Sequence, residues 1–266
     1  MDIIVTSVGA ARKNGPEGDF IRQVIAPITE RNLSLGTSAQ TRFVQRWSEE
    51  GETHPAFASC VHLSRLAGDY IYPAMKGADE QGFDAAIVGC FGDPQLDQCE
   101  AGLSIPVIGF GKAGMAAAAE LGKRIGIVTP APMLIEPTFR QAADYGYGEM
   151  VIDVIATPET AAEQEEAVVN AGPSIKIFHE LARKLIAKGA DVILPGCGLQ
   201  SPALRLAPGV EDEWPGGVRH IDGVPVVDLL GVVGLYAERA AMIQHMHGRG
   251  CNGVKAVPLS AGFWES

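Results

Sequence analysis

The sequence predicts an α/β fold made of two pseudo-symmetric parallel-sheet α/β domains, with the active site in the cleft between them. Short apolar runs rich in β-branched residues alternate with longer helical patterns, as in a parallel sheet covered by helices on both faces. An internal repeat indicates that one such unit occurs twice. The 266 residues, of which 47% are hydrophobic, suffice for two ordinary domains. We assign 1–112 with 222–266 to the first domain and 113–221 to the second.

The predicted elements follow this alternation along the chain. Strands are expected at 3–6, 33–37, 85–89 and 106–109, with helices within 19–31, 59–81 and 112–121. The pattern then restarts. Further strands are expected at 124–129, 151–155, 191–194 and 224–227, with helices at 136–145, 159–188 and 229–247, the second of these broken near Gly172.

The repeat consists of three matched pairs in the same order. Residues 4–7 resemble 127–130, residues 84–90 resemble 191–197, and residues 105–108 resemble 224–227. Chance repetition of strand patterns is the alternative explanation, but both copies place Gly-Cys at the same point, which favours duplication. The insertion 201–223 is the largest difference between the copies.

Composition and charge limit the classes of partner. The net charge of −11 and the absence of a basic stripe argue against nucleic acid or an anionic membrane as partner, so we expect a small-molecule substrate. We find no signal peptide and no apolar run of about 20 residues, and therefore expect a soluble, cytoplasmic protein. Five cysteines in such a chain are expected to be free thiols.

Two of these cysteines, Cys90 and Cys197, follow buried strands directly. Ligands of open parallel sheets bind beyond the carboxyl ends of the strands, so both thiols are predicted to face one cleft. A thiolate on one side and a thiol on the other suit inversion of a stereocentre, one removing a proton and the other returning it. Gly92 and Gly198 would let backbone N–H groups turn toward the site, where they favour the thiolate or hold an enolate oxygen.

The two thiols also have structural, disulfide and metal-binding interpretations. A buried cysteine often only fills space, but a matched pair in a repeat favours a function. A disulfide is not expected in the cytoplasm, and a zinc site would need two more ligands that are absent at metal spacing, so we predict no metal. A hydrolase elbow, a Walker loop and a Rossmann glycine motif are all missing.

Three stretches carry a family resemblance: C-F-G-D-P-Q-L, I-P-V-I-G-F-G-K-A-G-M-A-A-A-A-E-L-G-K-R-I-G-I-V-T, and G-A-D-V-I-L-P-G-C-G-L. They resemble the hydantoin and allantoin racemase branch of the aspartate/glutamate racemase superfamily, over roughly residues 82–239. The resemblance implies a cofactor-independent racemase of a hydantoin-like cyclic amide, a homo-oligomer, and Cys90 and Cys197 as catalytic acid and base. It also implies that four residues line the substrate pocket through backbone or hydroxyl contacts: Phe91, Gly92, Thr129 and Gly198.

The chain departs from the family pattern at several positions. At the end of the first strand the family has an Asn-Pro-Asn-Thr-like run, whereas this chain has Thr6 and Ser7. Either these two residues replace the Asn side chains as hydrogen-bond donors to the substrate, or the substrate differs. Lys112 replaces a common Glu, and it either binds a substrate carboxylate or lies solvated on the surface. Asp93 either accepts a substrate N–H or belongs to a Gly-Asp-Pro turn. Trp214, in the insertion, is a candidate cap over the pocket.

The sequence also fits other enzymes on the same scaffold and a binding protein. On the same scaffold, relatives isomerise a small unsaturated dicarboxylate, as maleate isomerase does, or decarboxylate a substrate. The decarboxylases typically keep one thiol, which argues against that option. A non-catalytic, two-lobed binding protein is the remaining alternative, although such proteins usually carry export signals.

Overall fold

A computed structural model describes residues 1–7, 28–43 and 71–248 of the chain. The first sheet contains β1 (Asp2–Ser7), β2 (Ser38–Phe43), β3 (Ala85–Gly89) and β4 (Val107–Gly109) in the order β2-β1-β3-β4, with all pairs parallel. The second contains β5 (Ile125–Thr129), β6 (Val151–Ala156) and β7 (Val192–Pro195) in the order β6-β5-β7, also parallel. A short antiparallel hairpin joins β8 (His220–Ile221) to β9 (Val224–Pro225).

Helices connect these strands. In chain order they are α1 (Ile71–Glu80), α2 (Leu96–Gly102), α3 (Phe110–Leu121), α4 (Ile135–Asp144), α5 (Ala161–Glu166), α6 (Gly172–Ala187), α7 (Gln200–Leu206) and α8 (Leu229–His247), and a 3-10 turn at Pro132–Leu134 precedes α4. None of the helices in the described ranges is long and apolar enough to cross a membrane.

The two sheets have the same topology, as the repeat predicts. Each has a central strand, β1 or β5, flanked by the strand that precedes a Gly-Cys loop. β4 borders β3 in the first sheet, and in the second the matching segment forms a parallel bridge from Val226 to Ile193 of β7. The predicted parallel α/β fold is therefore confirmed.

The last helix of each copy packs across onto the other sheet. α3 follows β4 and contacts β7 as well as α8, and α8 follows the 224–227 segment and contacts β3 and β4. The approach is close at Gly114, where an added Cβ would lie 2.8 Å from Leu229 Cδ1 and 3.2 Å from Leu194 Cδ1. This crossing helps hold the two sheets in one arrangement.

The domain division at 112/113 and 221/222 stays a prediction. One segment lies with the other sheet from the one predicted. Residues 224–227 are assigned to the first domain, but they bond to the second sheet, where the Val227 N–H donates to Ile193 O at 2.9 Å. The physical reason is the repeat itself, because this segment takes the position that β4 holds in the first copy.

One predicted strand is wrong. Residues 33–37 form a turn, in which Gly36 has φ +89°, and the strand begins at Ser38. The buried carboxylate of Glu238 holds this turn by accepting the Ser34 N–H at 3.0 Å and the Thr37 hydroxyl at 2.7 Å. Most of the predicted helix within 19–31, and most of that within 59–81, lies outside the described residues; residues 28–30 are helical.

We expect Gly126→Ala to lower the free energy of unfolding by about 1–3 kcal/mol, because overpacking a closed core strains it. Gly126 lies in β5, and an added Cβ would sit 2.9 Å from Leu185 Cβ and 3.1 Å from Ala190 Cβ. Urea unfolding measures the change. Gly77→Ala on α1 is the control, since its Cβ would meet only Gln81 Nε2 at 3.8 Å; equal stability of the two variants would contradict the prediction.

Candidate active site

Cys90 begins a tight loop at the carboxyl end of β3. Its carbonyl accepts the Asp93 N–H at 3.0 Å, which closes the turn. Its thiol accepts a hydrogen bond from the Gly92 N–H. Gly92 thus directs its backbone amide at the sulfur, one of the two roles expected for it from the sequence.

Cys197 begins the corresponding loop after β7. Its Sγ accepts the Leu199 N–H at 3.4 Å and a second hydrogen bond from the Gln200 N–H. In both loops, therefore, the sulfur accepts from the amide two residues further on. The duplication extends from strand order to the local geometry around each thiol.

The two loops lie next to each other. A Cβ added to Gly198 would lie 3.5 Å from Gly89 O and 3.5 Å from the Phe110 ring, so the backbone after Cys197 lies beside the strand end that leads into Cys90. The two sulfurs are also close enough for the Cys197 charge to raise the pKa of Cys90.

Burial makes both thiols weak acids. It raises the pKa of Cys90 to about 12, with Asp93 and Cys197 adding to the effect and the Gly92 N–H opposing it. Burial likewise raises the pKa of Cys197, opposed by the N–H groups of Gln200 and Leu199. Both sulfurs are therefore mainly protonated at neutral pH, and a thiolate formed there is a strong base.

Asp93 is held by the protein itself. Its side chain is buried, and its backbone has φ +45°. Oδ1 accepts the Gly111 N–H at 2.9 Å and Oδ2 accepts the Lys112 N–H at 2.7 Å, both from the first turn of α3. Oδ2 also accepts from the Tyr145 hydroxyl at 3.0 Å and from Gln141 Nε2 at 3.3 Å.

These contacts favour the turn alternative for Asp93 over the substrate contact predicted from the sequence. Both oxygens are occupied by protein donors, and a Cβ at Gly109 or Gly111 would overlap the carboxyl group. Burial raises the pKa of Asp93 to about 7, and the hydrogen bonds from Gly111, Lys112 and Tyr145 oppose that shift. Asp93 is therefore a positioning residue for the Cys90 loop.

The other predicted pocket residues lie at the carboxyl edges of the sheets. Thr129 is the last residue of β5 and is buried. It lies close to Gly196, which precedes Cys197: a Cβ added to Gly196 would be 3.4 Å from the Thr129 Cα. Ser7 pairs with Gly89, which places the end of β1, with Thr6, beside the Cys90 loop; the side chains of Thr6 and Ser7 lie outside what is described.

Phe91 follows Cys90, and its contact with a substrate through the backbone stays a prediction. Its side chain is buried in the hydrophobic core, whereas its carbonyl accepts from Gln141 Nε2 at 2.7 Å. The ring therefore contributes packing under the site, because the tight turn that orients the Cys90 thiol points the next side chain inward.

Three further positions resolve alternatives left open by the sequence. Lys112 Nζ binds Glu100 Oε1 at 2.7 Å and its side chain is 47% exposed, which matches the solvated alternative. Trp214 packs on His179 of α6 with ring centroids 4.7 Å apart, so it docks the insertion on the second unit.

Cys99 is buried in a core cluster. Cys60 and Cys251 lie outside the described residues, and within them no cluster of metal-ligating side chains occurs.

Sequence reasoning missed Gln141, Tyr145 and a pocket beside Cys197. Gln141 and Tyr145 carry no local motif, and their role arises only because α4 packs against the Cys90 loop. The pocket, which we call the side pocket, is small and lies among residues of α5, α6 and α7. Leu199 and Gln200, whose amides bond the Cys197 thiol, line it.

Comparison with known proteins gives consistent results. The sequence profile described as Asp/Glu/Hydantoin racemase matches residues 38–228. A hydantoin racemase of Pseudomonas sp. (strain NS671) is 26% identical over 171 residues, covering 64% of this chain and 66% of that protein, so the chain spans just under two thirds of this curated relative.

Solved structures agree in fold. An allantoin racemase from Klebsiella pneumoniae superposes with a TM-score of 0.71 at 19% identity, covering 91% of this chain and 88% of the other. An allantoin racemase from Pseudomonas fluorescens gives a TM-score of 0.71 at 23% identity, covering 91% and 92%.

We expect Asp93→Asn to destabilise the protein by about 1–3 kcal/mol, because the amide NH₂ would face N–H or O–H donors that now bond a carboxylate. Urea unfolding measures this. Asp144→Asn, on the exposed side of α4, makes the same chemical change without these partners and should leave stability nearly unchanged. Equal stability of Asp93→Asn and the native protein would contradict the positioning role.

Proposed function

The chain belongs to the Asp/Glu/hydantoin racemase family, and from this membership we propose that it is a cofactor-independent racemase of a hydantoin-like cyclic amide. The observation that carries the proposal is that two equivalent loops lie side by side. In each loop a cysteine thiol accepts a hydrogen bond from a backbone N–H group. The substrate names of the relatives support the substrate class.

The proposed reaction uses the two thiols in turn. One cysteine, as thiolate, takes the proton from the stereogenic carbon next to a ring carbonyl; an S–H bond forms, the C–H bond breaks, and the electron pair moves into the enolate. The other cysteine then gives its proton to the opposite face of that carbon and becomes the thiolate. The shared hydrogen-bond geometry at Cys90 and Cys197 allows either enantiomer to enter.

The backbone amides contribute through the sulfurs. The Gly92 N–H bonds the Cys90 sulfur, and the Leu199 and Gln200 N–H groups bond the Cys197 sulfur. Each hydrogen bond to sulfur favours the charged form and so reduces the free energy needed to form the thiolate in a buried site. Burial keeps that thiolate basic enough to remove a proton from carbon.

An isomerase acting on an unsaturated dicarboxylate is less well supported. Its substrate carries two negative charges, which call for cationic partners. Lys112, a candidate carboxylate ligand from the sequence, pairs with Glu100, and Arg205 of α7 pairs with Asp228 at 2.8 Å. Both cations are already neutralised by protein carboxylates, which favours an uncharged amide.

We expect Cys90→Ser and Cys197→Ser each to reduce racemisation by about 10²- to 10⁴-fold, the usual worth of one acid or base. The test incubates single enantiomers of 5-substituted hydantoins in D₂O and follows optical rotation together with NMR loss of the C5 proton. A single variant that keeps exchange on one face without racemising agrees with the two-base mechanism. Racemisation by Cys90→Ser at the native rate would contradict the two-base mechanism.

Cys99→Ala serves as the matched control, because this thiol is buried in a core cluster. It should keep its racemisation rate after allowance for any loss of stability. Mass spectrometry during turnover separates the isomerase alternative: a covalent adduct on Cys90 or Cys197 favours the isomerase, and its absence together with deuterium at C5 favours the racemase.

The raised thiol pKa values predict an alkaline dependence of the rate. Below the pKa of a base, its thiolate fraction rises tenfold per pH unit, and the pKa of Cys90 is about 12. We therefore expect log kcat/KM to rise with a slope near one between about pH 7 and 9. A profile that is flat across this range would show that the base is already ionised at neutral pH.

A further inference from the structure

One peptide group, between Phe91 and Gly92, links Gln141 to the Cys90 thiol. Its N–H donates to the Cys90 sulfur, and its carbonyl oxygen accepts from Gln141 Nε2 at 2.7 Å. A Cβ added to Gly92 would lie 4.0 Å from Cys90 Sγ, which agrees with an amide beside the sulfur. The amide that bonds the first thiol is therefore held from its carbonyl end by a residue of α4.

The turn that contains this peptide group has a second orientation open to it. Cys90 O accepts the Asp93 N–H at 3.0 Å, so Phe91 and Gly92 are the central residues of a β-turn. Glycine as the second central residue favours a type II turn, which has a positive φ there, yet Gly92 does not have a positive φ. In a type II turn this peptide group is nearly reversed, and its N–H would point away from the Cys90 sulfur.

The side chain of Gln141 stabilises the orientation that is observed. Its Nε2 lies between two acceptors, Phe91 O at 2.7 Å and Asp93 Oδ2 at 3.3 Å, and the side chain also hydrogen-bonds Tyr145. Because a carbonyl and a carboxylate oxygen only accept, the amide nitrogen of Gln141 must face them. Reversing the peptide group would take the carbonyl away from this donor, and an unmade hydrogen bond in a partly buried site costs free energy.

The packing around the contact fits it closely. A Cβ added to Gly111, in the first turn of α3, would lie 2.3 Å from Phe91 O and 2.4 Å from Gln141 Nε2. Glycine at this position leaves the space that the hydrogen bond occupies. Gln141 itself projects from α4, which packs on β6. The second unit thus orients the amide that serves the thiol of the first.

The surroundings of Cys90 give this support a purpose. The Cys197 sulfur accepts from two backbone amides, whereas the described residues provide the Cys90 sulfur with the amide of Gly92. The nearby charge of Asp93 also raises the pKa of Cys90. A hydrogen bond to a carbonyl polarises its peptide group and strengthens the N–H as a donor. Gln141 therefore offsets part of the disadvantage of the Cys90 thiolate.

We propose that Gln141 is a positioning residue for Cys90: by bonding the Phe91 carbonyl, it holds and polarises the peptide group whose N–H stabilises the Cys90 thiolate. Its role in turnover rests on the racemase function proposed above, in which both sulfurs must serve as base. Its effect on the thiol does not depend on that reaction and is measurable without a substrate.

The variant Gln141→Met tests the proposal, because it keeps the length of the side chain and removes both N–H donors. Labelling with iodoacetamide at about pH 8, followed by peptide mass spectrometry, compares Cys90 with Cys197 in the same molecules. We expect the Cys90-to-Cys197 rate ratio to fall about two- to tenfold, the contribution of one hydrogen bond. A looser loop would expose Cys90 and speed its labelling, so slower labelling reports less thiolate. An unchanged or raised ratio would overturn the proposal.

A second variant guards against failure of the first to fold. Gln141→Asn keeps the amide but is one methylene shorter, so its nitrogen is withdrawn from Phe91 O. It should lower the same ratio in the same direction. If the ratio of this variant equals that of the native protein, the proposal is overturned.

Backbone NMR checks that the effect passes through the peptide group. The Gly92 amide resonances should move in Gln141→Met, whereas those of the amides that bond Cys197 should stay in place. Gly92 resonances at their native positions would contradict the proposed route.

The matched control is Gln164→Met. Gln164 is also buried, and its Nε2 donates to two backbone carbonyls, Pro130 O at 3.0 Å and Glu159 O at 3.1 Å, away from the Cys90 loop. This variant should leave the Gly92 resonances and the labelling rate of Cys90 unchanged. If it slows Cys90 labelling as much as Gln141→Met does, the effect is a general one of losing a buried glutamine, and the proposal fails.

Turnover connects the thiol to the reaction. For a 5-substituted hydantoin, kcat per folded Gln141→Met molecule should fall about two- to tenfold, in step with the labelling ratio. A native kcat together with a lowered ratio would overturn the role in turnover. If the native protein does not racemise hydantoins, the proposed function is wrong, and labelling and NMR still decide whether Gln141 acts on Cys90.

Discussion

The buried carboxylate of Asp93 is the contact on which the site geometry depends. It joins the loop that carries Cys90 to the first turn of α3 and, through Tyr145 and Gln141, to the end of α4. α3 packs on β7 and α4 on β6, so one side chain ties the first thiol to the sheet that carries the second. A carboxylate suits this position because it accepts several hydrogen bonds at once, and leaving those donors unpaired in the interior would be costly.

The chemistry of the site is a balance between burial and backbone hydrogen bonds. Burial raises the pKa of both thiols, and the amides of Gly92, Leu199 and Gln200 oppose the rise. Only a strong base removes a proton from carbon. A thiolate that the protein stabilises strongly has a low pKa and is therefore a weak base for this step. The same geometry in both copies gives the two sulfurs similar properties, which a reaction that runs in both directions requires.

The two copies have nevertheless diverged in what surrounds the thiols. The Cys90 loop is held by Asp93 and faces packed core on its inner side, where the Phe91 ring lies. Leu199 and Gln200 of the Cys197 loop instead line a small pocket, and Gln200 Oε1 accepts no hydrogen bond from the described residues. A duplicated unit thus combines a pair of like groups for chemistry with unlike neighbours.

The sequence by itself determined the α/β class, the repeat and the placement of Cys90 and Cys197 at strand ends, because strand periodicity and the Gly-Cys pattern are local signals. It also located most elements, yet it placed a strand at 33–37, where the distant carboxylate of Glu238 stabilises a turn. Only the tertiary structure decided between the alternatives for Asp93 and Lys112. The partners of Asp93 lie 18 to 52 residues away, and the carboxylate that neutralises Lys112 projects from a different helix. Such contacts follow from packing, and no local pattern of residues encodes them.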